Sequence, residues 1–115
     1  MLQTSWLEVD LGRLDNNLRL FRRLVGDGVK ICGVIKADAY SLGAVPLANR
    51  LEAGGIDSLA VYSPAQAAEI YNAGLKTPLI ILLPVRQPAE VEGLEPAFKS
   101  GQFHLTIHDE DQLLA

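Results

Sequence analysis

Four short apolar runs, starting near residues 29, 58, 79 and 103, are each followed by a stretch with helical periodicity. A repeat of roughly 25 residues leaves room for one strand and one crossover helix, which is the unit of parallel α/β architecture. Buried parallel strands read as continuous apolar segments, and Leu79 to Leu83 has that pattern. Two architectures satisfy this spacing. One is an open doubly wound sheet that is complete as it stands. The other is the N-terminal portion of a (β/α)8 TIM barrel, apparently truncated, because a closed barrel takes about 250 residues and this chain has 115. The chain ends inside a helical pattern without a cap, which favours the barrel portion, as would unpaired strand edges.

The local signals can be read in order. Ser5 to Val9 is predicted as a strand. Asp10 is an N-cap, followed by Leu11, Leu14, Leu18, Phe21 and Val25 at helical spacing and by a stop at Gly26 and Gly28. Val29 to Ile35 is the second strand, and a helix over 44–53 ends at Gly54-Gly55. Ser58 to Val61 is the third strand. Ser63 then offers an N-cap with Pro64 at the first helical position, and that helix runs to Gly74. A weaker helix over 88–99 is interrupted by Gly93 and Pro96. Phe103 to Ile107 is a fifth strand, and His108-Asp109 opens a last helix.

Composition excludes several classes. Hydrophobic residues make up 49%, enough for a core, and charged residues 21% with a net charge of -4. That balance gives no electrostatic footprint for nucleic acid or an acidic membrane surface. The longest apolar run, Leu79 to Val85, is broken by Pro84 and falls well short of the roughly 20 residues that cross a bilayer. No basic stretch followed by an apolar core opens the chain, so no signal peptide is read. The single cysteine, Cys32, rules out an internal disulfide. A soluble, cytoplasmic protein is expected.

The chemistry-bearing stretch is Val34-Ile-Lys-Ala-Asp-Ala-Tyr-Ser-Leu-Gly43. Lys36 falls where the second strand ends, and ligands of parallel sheets and barrels bind at that carboxyl end. Apolar residues flank it, and a neutral lysine amine is the form that attacks an aldehyde to give a Schiff base. Tyr40, four residues on, can hydrogen-bond a cofactor or stack on it. Asp38 either orients this loop or accepts a local turn hydrogen bond.

The segment Val34-Ile-Lys-Ala-Asp-Ala-Tyr40 resembles the pyridoxal-phosphate attachment signature of alanine racemases. Further matches keep the same order and spacing: Trp6-Leu-Glu-Val-Asp-Leu11, Asn16-Asn17, Leu51-Glu-Ala-Gly-Gly55 with Leu59-Ala-Val61, Glu69, Gly74 and Pro78-Leu-Ile-Ile-Leu82. The resemblance implies that residues 1–115 are the N-terminal portion of a barrel domain binding pyridoxal 5'-phosphate. A β-rich C-terminal domain would lie outside this chain, and the whole would be a homodimer. It implies a first barrel strand over 29–35, with Ser5 to Val9 pairing outside the barrel with the C-terminal domain. It assigns Lys36 as the Schiff-base lysine and one proton-transfer base in the interconversion of L- and D-alanine. Tyr40 would lie at the phosphate region and Leu82 near the ring; the second base and most of the phosphate cup would lie beyond Ala115. In one place the chain departs from the family pattern, having Ser41-Leu42-Gly43 where Gly-His-Gly is usual, so the glycine that relieves strain there is missing.

Other features read more plainly. His104 and His108 share a face only on a helix, and a strand ends between them, so no metal site is assigned. Cys32 reads as a small buried hydrophobe, Arg22-Arg23 as an exposed helix face, and Asp109-Glu-Asp111 as a solvated acidic helix start. Two alternatives to the racemase stand beside it. One is a single-barrel protein of the pyridoxal-phosphate homeostasis type, without racemase activity. The other is an inactive, self-associating half barrel.

Overall fold

The computed structural model describes residues 4–114. Helix α1 (Leu11–Val25) is followed by strand β1 (Cys32–Val34), the single turn α2 (Lys36–Tyr40), α3 (Ala44–Ala53), β2 (Ser58–Val61) and α4 (Pro64–Asn72). Strand β3 (Leu79–Ile81), a 3-10 turn (Pro88–Val91), α5 (Glu95–Lys99), β4 (Phe103–Leu105) and α6 (Glu110–Leu114) complete the described chain. The four strands form one parallel sheet in the order β1-β2-β3-β4.

The predicted caps are present. Asp10 accepts from the Gly12 and Arg13 amides, and Ser63 accepts from Gln66 N, with Pro64 opening α4. The weak helix over 88–99 divides at Gly93 into the 3-10 turn and α5, whereas Pro96, also read as an interruption, lies in the first turn of α5, where proline is tolerated. The predicted strand over Ser5 to Val9 does not form. Residues 5–10 have no regular structure, and Trp6 and Leu7 are 74% and 64% exposed. A strand exists by sharing a ladder, and no strand among the described residues lies beside this segment.

Residue parity in the sheet explains the architecture. Leu59, Val61, Leu79, Ile81 and Phe103 point to one face and are buried together with Leu47, Ala48 and Leu51 of α3, Ala67 and Ile70 of α4 and Ala97 of α5. Gly33 belongs to this face. A Cβ there would meet Ile56 Cδ1 at 2.8 Å and Leu59 Cδ2 at 3.2 Å, so β1 and the layer behind it come together only because the side chain is missing. Tyr71 and Phe98 pack edge-on against Phe103, with ring centroids 5.6 and 5.5 Å away. The opposite face carries Cys32, Val34, Ile80 and His104, none of which joins the buried cluster. A doubly wound sheet covers both faces and reverses its strand order at a switch point. Here the crossover helices share one face and the order runs without reversal, which is the wall of a (β/α)8 barrel seen over four strands.

Cys32 lies on the open face and is exposed, so the expectation of a buried position was wrong. Arg22 also departs from expectation. Rather than being a free surface cation, it donates to Val29 O and to Asp57 Oδ2, each at 2.7 Å.

Candidate functional site

The carboxyl end of β1 is reached through Ile35, whose amide donates to Ala60 O as the last ladder bond. Lys36 follows immediately and is half-buried. The chain then enters a turn that L-residues seldom adopt. Ala37, Asp38, Ala39, Tyr40 and Ser41 all have positive φ, between 54° and 70°. Left-handed backbone costs roughly 1–2 kcal/mol per L-residue and persists only where its surroundings fix it. Here Ala39 N donates to Ile35 O, Ser41 N to Ala37 O and Gly43 N to Asp38 O, each at 2.9 Å. Ala39 is 2% exposed and anchors the turn in the core, while Tyr40 is 60% exposed. Asp38 Oδ1 accepts from Ala44 N at 2.8 Å.

Leu82 lies just past β3, half-buried, with its amide donating to Val61 O at 2.9 Å. Lys36 and Leu82 thus stand at the carboxyl ends of β1 and β3, with β2 between them, about 10 Å apart by strand spacing. Tyr40 reaches the same end of the sheet on the left-handed turn. The structure therefore brings all three predicted site residues to one end of one sheet. It also brings residues there that sequence reading did not assign. Tyr62 follows β2 with an exposed side chain, its amide donating to Gln66 Oε1 and its carbonyl accepting from Leu83 N. Thr106 Oγ1 donates to Ile81 O at 2.8 Å, and His108 Nε2 stands 3.0 Å from Leu82 O. The available signal for Tyr62 was position alone: it is the first residue past β2, as Lys36 and Leu82 follow β1 and β3.

The acidic run starting at Asp109 is not merely solvated. Asp109 pairs with Arg86 and accepts from Gln112 N. The Arg86 guanidinium, followed by the Gln112 amide, holds the Asp109 carboxyl down at about 2. His104 lies on the open face of β4, apart from this group, and among the described residues no three of His, Cys, Asp and Glu gather to hold a metal ion.

An aldehyde cofactor requires a primary amine at a ligand-binding strand end, not consumed by an ion pair. Lys36 meets that requirement: no ion pair among the described residues engages its amine. Tyr40 and Leu82 offer a phenol and an apolar side chain at the same end of the sheet. A cavity of about 230 Å³ lined by Ile35, Asp38, Ala44, Val61, Gln66, Glu69 and Ile70 lies on the helix side of this end. No helix among the described residues is long and apolar enough to cross a membrane.

Comparison with known proteins agrees with this geometry. Residues 9–115 match the family model described as alanine racemase, N-terminal domain. The alanine racemase of Synechocystis sp. is 36% identical over 92 residues, covering 80% of this chain and 25% of the relative. Alanine racemase 2 of Caldanaerobacter subterraneus subsp. tengcongensis is 41% identical over 91 residues, covering 77% and 24%. Among solved structures, alanine racemase of Clostridium difficile 630 superposes with a TM-score of 0.77 at 35% identity, covering 95% of this chain and 27% of that one. The Bacillus anthracis enzyme with bound L-Ala-P gives 0.81 at 26% identity, covering 98% and 28%. The chain spans about a quarter of the length of the relatives it matches. By the extent of the family match and the identity to these relatives, the chain belongs to the alanine racemase family and corresponds to its N-terminal barrel portion.

Proposed function

We propose that this chain is the cofactor-lysine segment of a pyridoxal-phosphate-dependent racemase that interconverts L- and D-alanine. The observation that carries the reading is Lys36: a half-buried amine directly after the last ladder bond of β1, inside the family-matched region. In this reading Lys36 would hold the cofactor through Nζ and, once the substrate's amino group has displaced it and left a free amine, would accept or return a proton on one face of the substrate's α-carbon. Pyridoxal phosphate, when bound, supplies the electron sink that makes that α-proton removable. The Tyr40 phenol orients the cofactor at its phosphate side. Leu82 packs beside the ring and keeps water from that flank, where fixed dipoles and apolar walls act more strongly than in water.

Four strands build one side of a pocket. The relatives are about four times as long as this chain, and in this reading the second base, the phosphate cup and a β-rich domain belong to further polypeptide, assembled as a cytoplasmic homodimer. The experiment is direct. The full-length polypeptide that contains these residues is mixed with pyridoxal phosphate, reduced with borohydride and digested. A pyridoxyl label on Lys36 is the expected result, and a label elsewhere or none overturns the assignment.

A further inference from the structure

The left-handed turn has a brace, and it is Asp38. Helix α3 begins after Gly43, which has no side chain to satisfy the helix's first amides, and no cap hydrogen bond comes from that position. The acceptor arrives from six residues upstream. Asp38 Oδ1 takes the Ala44 amide at 2.8 Å in a part-buried setting, while the Asp38 carbonyl takes Gly43 N at 2.9 Å. One residue thus holds both the last amide before α3 and the first amide within it. Its carboxylate sits at the positive end of a ten-residue helix, where negative charge is favoured. Asp38 is also among the residues best able to adopt positive φ. The neighbours it locks are Lys36 on one side and Tyr40 on the other.

We infer that Asp38 is a positioning residue: by tying the left-handed turn to the N-terminus of α3, it fixes where the Lys36 amine and the Tyr40 phenol stand at the end of the sheet. The inference rests on the reading of Lys36 as the cofactor lysine. Without the tie, the turn relaxes toward right-handed backbone, which redirects residues 36 to 40 together. The acceptor oxygen makes the tie, so asparagine keeps it and gives up only the charge at the helix end.

The test uses the full-length racemase polypeptide and reads cofactor binding rather than turnover. Asp38→Ala is expected to raise the dissociation constant for pyridoxal phosphate by about tenfold, the scale of one charge-assisted hydrogen bond. It also slows borohydride trapping at Lys36. Asp38→Asn is expected to stay within about threefold of the unaltered protein, because it keeps the acceptor. Arg22→Ala, which cuts a tie at the opposite end of the sheet, is the control: it lowers the melting temperature and leaves cofactor affinity unchanged. Should Asp38→Ala not fold, Ala44→Pro removes the same hydrogen bond from the donor side at a helix position that accepts proline, and carries the same expectation. Tight binding by Asp38→Ala or Ala44→Pro overturns the inference, as does an affinity loss in Arg22→Ala as large as that in Asp38→Ala. If the unaltered protein is not labelled at Lys36, the cofactor reading has failed and this inference falls with it. If it is labelled and Asp38→Ala binds equally well, only the positioning role is lost.

Discussion

The two ends of the sheet are built on different principles. At the amino end, side chains close the loops. Arg22 joins Val29 to Asp57, and Asp57 also takes the Ile31 amide. Glu52 takes the Lys76 and Thr77 amides and the Thr77 hydroxyl, and Gln102 donates to the Leu75 carbonyl. Backbone there is satisfied, and several of the groups are half-buried. At the carboxyl end over β1, five consecutive non-glycine residues hold positive φ, and Tyr40 and Tyr62 stand exposed. One end gathers side-chain ties; the other holds strained backbone directly after Lys36, and ligands of a β/α barrel bind at that second end.

Four changes test this division, beginning with the largest effect. Lys36→Ala in the full-length racemase polypeptide is expected to lower racemisation by about a thousandfold while leaving the denaturation midpoint nearly unchanged; a large stability loss with retained turnover would erase the distinction between the ends. Glu52→Ala is the mirror experiment at the amino end. Stripping three donors of one acceptor is expected to cost about 2–3 kcal/mol in urea denaturation of this chain, with cofactor affinity in the full-length racemase polypeptide unaffected. Burial pushes the Glu52 carboxyl up, but the Thr77 hydroxyl, the two amides and the Lys76 charge outweigh it and hold it below its ordinary value of 4.5. Its contribution is therefore complete above that value and lost as acidity carries the pH through the lowered one.

Ser41→Gly sharpens the comparison from the strained side. Ser41 has φ 70° and ψ 10°, a conformation glycine adopts without steric cost, so the substitution is expected to stabilise the chain by about 1 kcal/mol in the same denaturation assay. The smallest effect belongs to Arg86 and Asp109, an exposed pair. The pair depresses Asp109 from 3.8 to about 2, so whatever stability it contributes is present above 3.8 and lost as pH falls toward 2. Stability curves for the unaltered chain and Arg86→Met are expected to converge through that window and to run parallel above it.

The site was more legible than its geometry. Lys36 could be placed at a strand end because an apolar run gives way to a polar residue there, whereas Leu82 was picked out only by the resemblance of its segment to one family. The left-handed turn was not legible: Ala-Asp-Ala-Tyr-Ser contains no glycine to announce positive φ, and Asp38 finds its acceptor role only once α3 begins six residues later. The exposed position of Tyr62 at the same end of the sheet was not legible for a related reason, since a tyrosine after a strand looks the same whether it is exposed or packed. Ser5 to Val9 was read as a strand from its own residues, while a strand also needs a neighbour, and none lies beside it among the described residues.

What the sequence determined by itself was the alternation of strand and helix. Caps at Asp10 and Ser63, breaks at Gly54 and Gly93 and the apolar core of β2 and β3 are local signals and appear where they were read. Spacing alone left the doubly wound sheet and the barrel portion equally open. The family resemblance pointed to the barrel portion, and the tertiary structure separated the two physically, through unreversed strand order and crossover helices gathered on one face. The physical reason is that periodicity records which residues avoid water, and both architectures bury the same residues. Which face the helices take is set by long-range packing, as is the handedness of the turn after Lys36, and neither leaves a mark on a single segment of chain.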